Sequence, residues 1–110
     1  MGLAGSTSRA ASNMAGGLSL DAVIASNKLV VVSKSHCPYC QKVLRLLQGE
    51  PYKAQVVVLD AVAEPAYQAR ALELTGQRTV PNVFINGKSV GGCDSTVALH
   101  NSGKLRELLS

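Results

Sequence analysis

The chain has 110 residues, 46% apolar and 16% charged, with a net charge of +4. That length suits one domain with a modest core, and the composition excludes a disordered chain. Three cysteines are too few for a secreted disulfide framework, and no apolar stretch approaches the roughly 18 to 20 residues of a membrane span. With three Tyr, one Phe and no Lys/Arg run, nucleic-acid binding has no support, whereas the mild positive charge suits small anionic partners.

Residues 1–17 are rich in Ala, Gly and Ser, and Arg9 is their single charged side chain. They show no period and read as a disordered or processed tail ahead of a domain at 18–110. Organelle-targeting peptides share this acid-poor, Ser-rich composition, although one Arg is thin for such a role. Met1-Gly2 with Ser6 fits the short myristoylation pattern, but no second membrane signal accompanies it. A cytoplasmic protein is therefore expected.

Ser19 is a plausible cap for a first helix, with Leu18 stapling to Val23 and with Leu20, Val23 and Ile24 on one face up to Asn27. The run Leu29 to Ser33 reads as a strand buried on both faces, hence central in a sheet. A helix is predicted over 38–48, with Val43, Leu44, Leu46 and Leu47 on its buried side. Gly49-Glu50-Pro51 ends it. Gln55 to Leu59 is a second Val-rich strand, and the helix between makes a βαβ unit with parallel strands. Glu64 to Thr75 reads as a helix with Tyr67, Ala71 and Leu74 inward, stopped by Gly76. Asn82 to Ile85 and Lys88 to Val90 flank Asn86-Gly87, the preferred pair for a type I′ hairpin turn. Asp94 or Ser95 can cap a helix running to Asn101. Beyond Gly103, Leu105, Leu108 and Leu109 pack a short last helix. This order predicts an α/β protein, a three-layer sandwich with a four-stranded mixed sheet flanked by helices.

Cys37-Pro38-Tyr39-Cys40 stands between the first strand and its helix. Pro38 has the fixed φ and missing N–H that suit a first helical position. Cys37 is then the N-cap, its sulfur facing the first amides and the positive end of the helix dipole. Both favour a thiolate. Cys40 lies three residues on, on the same face and within reach. A nucleophilic thiol with a second thiol beside it is equipped for disulfide exchange. His36, pointing the other way in extended backbone, forms no dyad with Cys37. His100 is a surface residue.

Three segments coincide: Cys37-Pro38-Tyr39-Cys40, Thr75-Gly76-Gln77-Arg78-Thr79-Val80-Pro81 and Gly91-Gly92-Cys93-Asp94. In order and spacing they resemble a dithiol glutaredoxin of the thioredoxin fold, across residues 18 to 110. The resemblance implies a glutathione-dependent thiol–disulfide oxidoreductase acting on glutathionylated and disulfide-containing proteins. Glutathione would be a co-substrate, no cofactor would be permanently bound, and the active form would be a monomer. It implies Cys37 as nucleophile and Cys40 as resolving thiol. Pro81 matches the family's cis-proline, which exposes the Val80 backbone to glutathione's cysteinyl unit. Lys34, Gln68 and Arg78 match positions holding the glycine carboxylate. Asp94, with the amides of Cys93 and Asp94, matches the clamp on the γ-glutamyl end. Thr79 and Tyr39 flank these groups, Tyr39 beside the sulfur. Ser95 departs from relatives that carry a second acid nearby. Cys93 reads as a small, half-buried thiol or as a secondary redox site.

Three other readings compete. A zinc module drawing on Cys37, Cys40, Cys93 and one His needs a tight turn where Pro38-Tyr39 starts a helix. A glutathione-ligated [2Fe–2S] cluster between two subunits is known for some glutaredoxins, but those usually carry Gly or Ser after the nucleophile, where this chain has Pro38. A thioredoxin-type reductant would carry a Trp and a Gly-Pro pair in the motif, and the chain has no Trp.

Overall fold

The computed structural model describes residues 19–110. The tail at 1–17 and the Leu18 staple lie outside the described residues. Helix α1 (Leu20–Ser26) starts at Ser19, whose side chain accepts from the Ala22 N–H at 3.1 Å. Its apolar face, Leu20 and Val23, is buried. Strand β1 (Leu29–Ser33) is buried at all five positions, because the sheet order β2-β1-β3-β4 puts it inside.

Helix α2 (Pro38–Leu47) returns the chain to β2 (Val56–Asp60), which pairs parallel with β1. Helix α3 (Ala66–Thr75) ends at Gly76, whose left-handed φ of 79° carries no steric penalty in glycine. Strands β3 (Asn82–Ile85) and β4 (Lys88–Gly91) form the antiparallel hairpin, with Asn86 and Gly87 at φ 53° and 85° as a type I′ turn requires. Helices α4 (Cys93–Asn101) and α5 (Lys104–Leu108) complete the chain.

Alternation along β1 divides the core in two. Val30 and Val32 pack with Leu20, Val23, Tyr67 and Ala71 of α1 and α3. Leu29 and Val31 pack with Val43 and Leu47 of α2, Cys93 of α4 and Leu105 of α5. The sheet therefore lies between two helical layers, the expected three-layer sandwich. Each Val or Leu so buried contributes roughly 1.5–3 kcal/mol, which explains why the strand filled on both sides is central.

Several boundaries and faces differ from the sequence reading. Strand β2 is shifted one residue forward, to Val56–Asp60. Helix α3 starts at Ala66, because Pro65 disfavours helical backbone at Glu64; that side chain instead accepts from the Ala66 N–H at 3.4 Å. Leu74 is 41% exposed, at the rim of an open cleft of about 580 Å³ beside β4, so no layer covers it. Leu108 is also exposed; a five-residue helix presents one inward row, Leu105 and then Leu109. Leu44 and Leu46 are only partly buried. Helix α4 is capped by the Gly92 backbone, with no side-chain cap, so Asp94 and Ser95 lie inside its first turn. His100, exposed as expected, bonds the buried Tyr52 hydroxyl through Nδ1 at 2.8 Å.

Candidate active site

Cys37 is the N-cap of α2, in extended backbone with Pro38 at the first helical position. Its Sγ accepts from the Cys40 N–H at 3.2 Å. The Cys37 N–H donates to the Lys34 carbonyl at 3.2 Å, which closes the turn before the helix. The two thiols differ in access. Cys37 is half-buried, while Cys40 is fully buried. Burial, with the Cys37 sulfur beside it, pushes the Cys40 thiol up to about 12. Cys40 therefore rests as a protonated thiol. His36 is exposed and no hydrogen bond joins it to Cys37.

A second loop faces this helix start. The Val80–Pro81 peptide bond is cis. The Val80 carbonyl lies 3.7 Å from Cys37 Sγ, which donates to it. The Val80 N–H finds no acceptor among the described residues. Behind the loop, Gln77 Nε2 donates to the carbonyls of Thr79 and Pro81, both at 2.9 Å. The loop is anchored by buried polar groups: Asn82 donates to Thr75 Oγ1 at 3.1 Å and accepts from Ser89 Oγ at 2.8 Å. Thr75 Oγ1 also takes the Gln77 N–H at 3.0 Å and donates to the Ala71 carbonyl at 2.7 Å. Asn82 is almost fully buried, so each of these bonds offsets a desolvation cost. The chain of bonds ties α3, β3 and β4 to the loop.

Helix α4 supplies the third wall. A Cβ on Gly92 would stand 3.2 Å from the Pro81 carbonyl oxygen, so glycine permits this approach. The helix's first N–H groups have no side-chain cap, and Asp94 lies exposed in the first turn.

Together these walls enclose an open cleft of about 460 Å³. It brings together Tyr39, Thr79, Val80, Pro81, Cys93, Asp94 and Ser95 of the residues expected from sequence. Tyr39 is 64% exposed, a large ring unsupported at the mouth. Lys34, Cys37, Cys40, Gln68 and Arg78 are not in this lining, and Cys37 adjoins it through its contact with the Val80 carbonyl. Gln68 donates to the Arg78 carbonyl at 2.9 Å, which joins those two beyond the loop. Lys34 sits in the turn before Cys37. Gln77 and Gly92 line the cleft and were given no role from sequence. The one available signal was their place inside the two motifs. Among the described residues no three His, Cys, Asp or Glu side chains converge to hold a metal ion.

A glutaredoxin family model matches residues 29–90, from β1 into β4. A glutaredoxin of Ricinus communis is 52% identical over 89 residues, covering 80% of this chain and 87% of that protein. The holo form of glutaredoxin C1 from Populus tremula x tremuloides has a TM-score of 0.73 at 36% identity, covering 82% of this chain and 90% of that one. The buckwheat glutaredoxin–glutathione complex reaches 0.67 at 42% identity, over 81% and 82% of the two chains. Sequence and three-dimensional likeness thus agree over the stretch that carries the sheet, Cys37 and Cys40: the chain belongs to the glutaredoxin family, thiol–disulfide oxidoreductases of the thioredoxin fold.

Proposed function

We propose that the protein reduces protein–glutathione mixed disulfides through Cys37, and protein disulfides through Cys37 with Cys40. The observation that carries this reading is the placement of Cys37 Sγ. It takes the Cys40 N–H at 3.2 Å and lies 3.7 Å from the Val80 carbonyl, beside the 460 Å³ cleft. The N–H faces the sulfur that carries negative charge when it attacks and when it leaves, and the thiolate is the attacking species.

Cys37 attacks the glutathione sulfur of the mixed disulfide. The Cys37–glutathione bond forms, and the protein leaves as a thiolate that takes a proton from water. A second glutathione thiolate then attacks the bound glutathione sulfur, releases glutathione disulfide and restores the Cys37 thiolate. With a protein disulfide, Cys37 forms the mixed bond as the first protein thiolate leaves; Cys40 gives its proton to water and attacks Cys37 Sγ, the second protein thiolate leaves, and two glutathione thiols reduce the resulting Cys37–Cys40 disulfide and depart as glutathione disulfide. Burial favours the protonated Cys40 thiol, which delays that second attack and leaves time for glutathione.

Glutathione would lie along the loop, its cysteinyl N–H and C=O pairing with those of Val80 as an added strand. Its γ-glutamyl carboxylate meets the first N–H groups of α4, and its ammonium meets Asp94. Lys34, Arg78 and Gln68 take the glycine carboxylate, outside the deeper cleft. Thr79, Pro81, Cys93 and Ser95 form the walls and Tyr39 covers the sulfur. The working form is a monomer in the glutathione-rich cytoplasm. No helix among the described residues is long and apolar enough to cross a membrane.

The test is glutathione-coupled reduction of a glutathionylated peptide by wild type, Cys37→Ser and Cys40→Ser. Cys37→Ser is expected to lose at least about a thousandfold in rate. Cys40→Ser keeps the reaction and loses only the reduction of protein disulfides. A wild type inactive with glutathione would refute the proposal, and equal loss in both variants would refute the one-cysteine route.

A further inference from the structure

Gln77 occupies a place that the disulfide chemistry leaves unexplained. It lines the 460 Å³ cleft and also the 580 Å³ cleft beside β4, so its side chain stands in the partition between them. The carbonyls on either side of Val80, those of Thr79 and Pro81, both turn to its Nε2 at 2.9 Å. The Val80 carbonyl turns to Cys37 Sγ instead. Two carbonyl partners fix the orientation of the amide. A flipped Gln77 would set its oxygen against two others, so the NH2 group must face the loop, one hydrogen for each carbonyl. The same nitrogen is 3.8 Å from where a Gly92 Cβ would stand, so the first turn of α4 rests near the clamp as well. One side chain thereby spans the two walls that, under the glutathione reading above, hold the cysteinyl and γ-glutamyl units.

We propose that Gln77 is a positioning residue for glutathione: its amide holds the Thr79 and Pro81 carbonyls and so keeps the Val80 N–H and C=O presented beside Cys37. It touches neither the reacting sulfur nor the disulfide. Its effect falls on binding, because the added-strand contact needs Val80 in place before attack. Gln77 bonds neither Cys37 nor the Cys40 N–H that caps it, and reaches that sulfur only through the Val80 carbonyl.

Gln77→Met keeps the length and removes both donors. Gln77→Glu keeps the shape and sets a carboxylate oxygen against two carbonyl oxygens. Steady-state reduction of a glutathionylated peptide is measured for both variants and wild type. Alkylation of Cys37 by iodoacetamide, which needs no cleft, and thermal melting accompany it. Gln77→Met is expected to raise KM for the peptide about tenfold, the loss of two hydrogen bonds, with kcat within about twofold. Gln77→Glu raises KM further. Cys37 alkylation of Gln77→Met stays within about threefold of wild type, and its melting temperature falls by no more than the several degrees that two lost hydrogen bonds cost.

A KM for Gln77→Met within about twofold of wild type would overturn the proposal. So would a drop in kcat and melting temperature together, since that marks a residue that only holds the fold. A KM for Gln77→Met equal to that for Gln77→Glu would overturn the donor role. A wild type inactive towards the glutathionylated peptide would overturn the function itself, and this inference with it.

Discussion

Helices α2 and α4 both start against the Val80–Pro81 loop, yet their first turns are completed differently. At α2 the cap is a sulfur, which takes the Cys40 N–H, and Pro38 removes a second donor. At α4 the cap is Gly92, no side chain takes a helix N–H, and the bare glycine lets the turn approach the Pro81 carbonyl. Any helix start leaves four N–H groups without intrahelical partners. One start gives one of them, the Cys40 N–H, to the protein's own nucleophile. The other leaves them for an anion, the role the proposed function gives it. Helix α1, away from the cleft, has an ordinary serine cap. The cap side chain alone decides whether the same backbone device supports chemistry, recognition or stability.

The largest expected contrast is between the two thiols of the α2 start. At pH 8, iodoacetamide followed by peptide mass spectrometry should label Cys40 at least about a hundredfold more slowly than Cys37, since only a thiolate reacts. With Cys40 pushed up to about 12, its labelling should climb about tenfold per pH unit from pH 8 to 10. The linkage follows the same sign. A thiol raised above its ordinary value of 9.0 stabilises the fold fully below that pH and loses the contribution as pH rises towards 12. Urea midpoints of the reduced protein should fall from pH 8 to 10, and less so in Cys40→Ser. Labelling of both thiols at one rate would remove the asymmetry.

Next in size is Gly92→Ala. The new methyl would stand 3.2 Å from the Pro81 carbonyl oxygen and must push α4 and the loop apart. Overpacking of this kind costs about 1–3 kcal/mol, and kcat/KM for a glutathionylated peptide should drop about tenfold. Unchanged kinetics would mean that the spacing of the two walls is not critical. Asp94→Ala should act more gently, raising KM for glutathione about two- to fivefold with kcat unchanged, as expected of an exposed charge. That increase should shrink with added salt; a drop in kcat would place Asp94 nearer the reacting sulfur. Ser19→Ala completes the comparison. Loss of the Ala22 N–H bond should cost about 1 kcal/mol of stability in urea, with no change in turnover.

The difference between the helix starts was half visible in the sequence. Cys37 followed by Pro38 announces its cap through local rules alone, and the βαβ crossover and the Asn86-Gly87 hairpin were legible for the same reason. The α4 start was misread, with Asp94 or Ser95 as the cap. The Gly92 backbone takes that place because it lies against Pro81, eleven residues earlier and in another element. Leu74 shares a helical face with Tyr67 and Ala71, yet nothing in a helical period tells that no layer covers its end of α3. The Gln77 clamp escaped because a polar residue in a loop carries no period, and the Thr75–Asn82–Ser89 chain because its members stand on α3, β3 and β4 and meet only in the fold.

By itself, the sequence determined the elements, their order, the buried central strand and the dithiol at a helix start. These follow from periodicity, turn chemistry and capping, which act over a few residues. Only the tertiary structure decided the rest. It set the Val80 carbonyl beside Cys37, buried Cys40 while leaving Cys37 within reach, and closed one cleft from three segments. Those outcomes depend on which layers meet, and a contact between elements far apart in the chain leaves no local pattern to read.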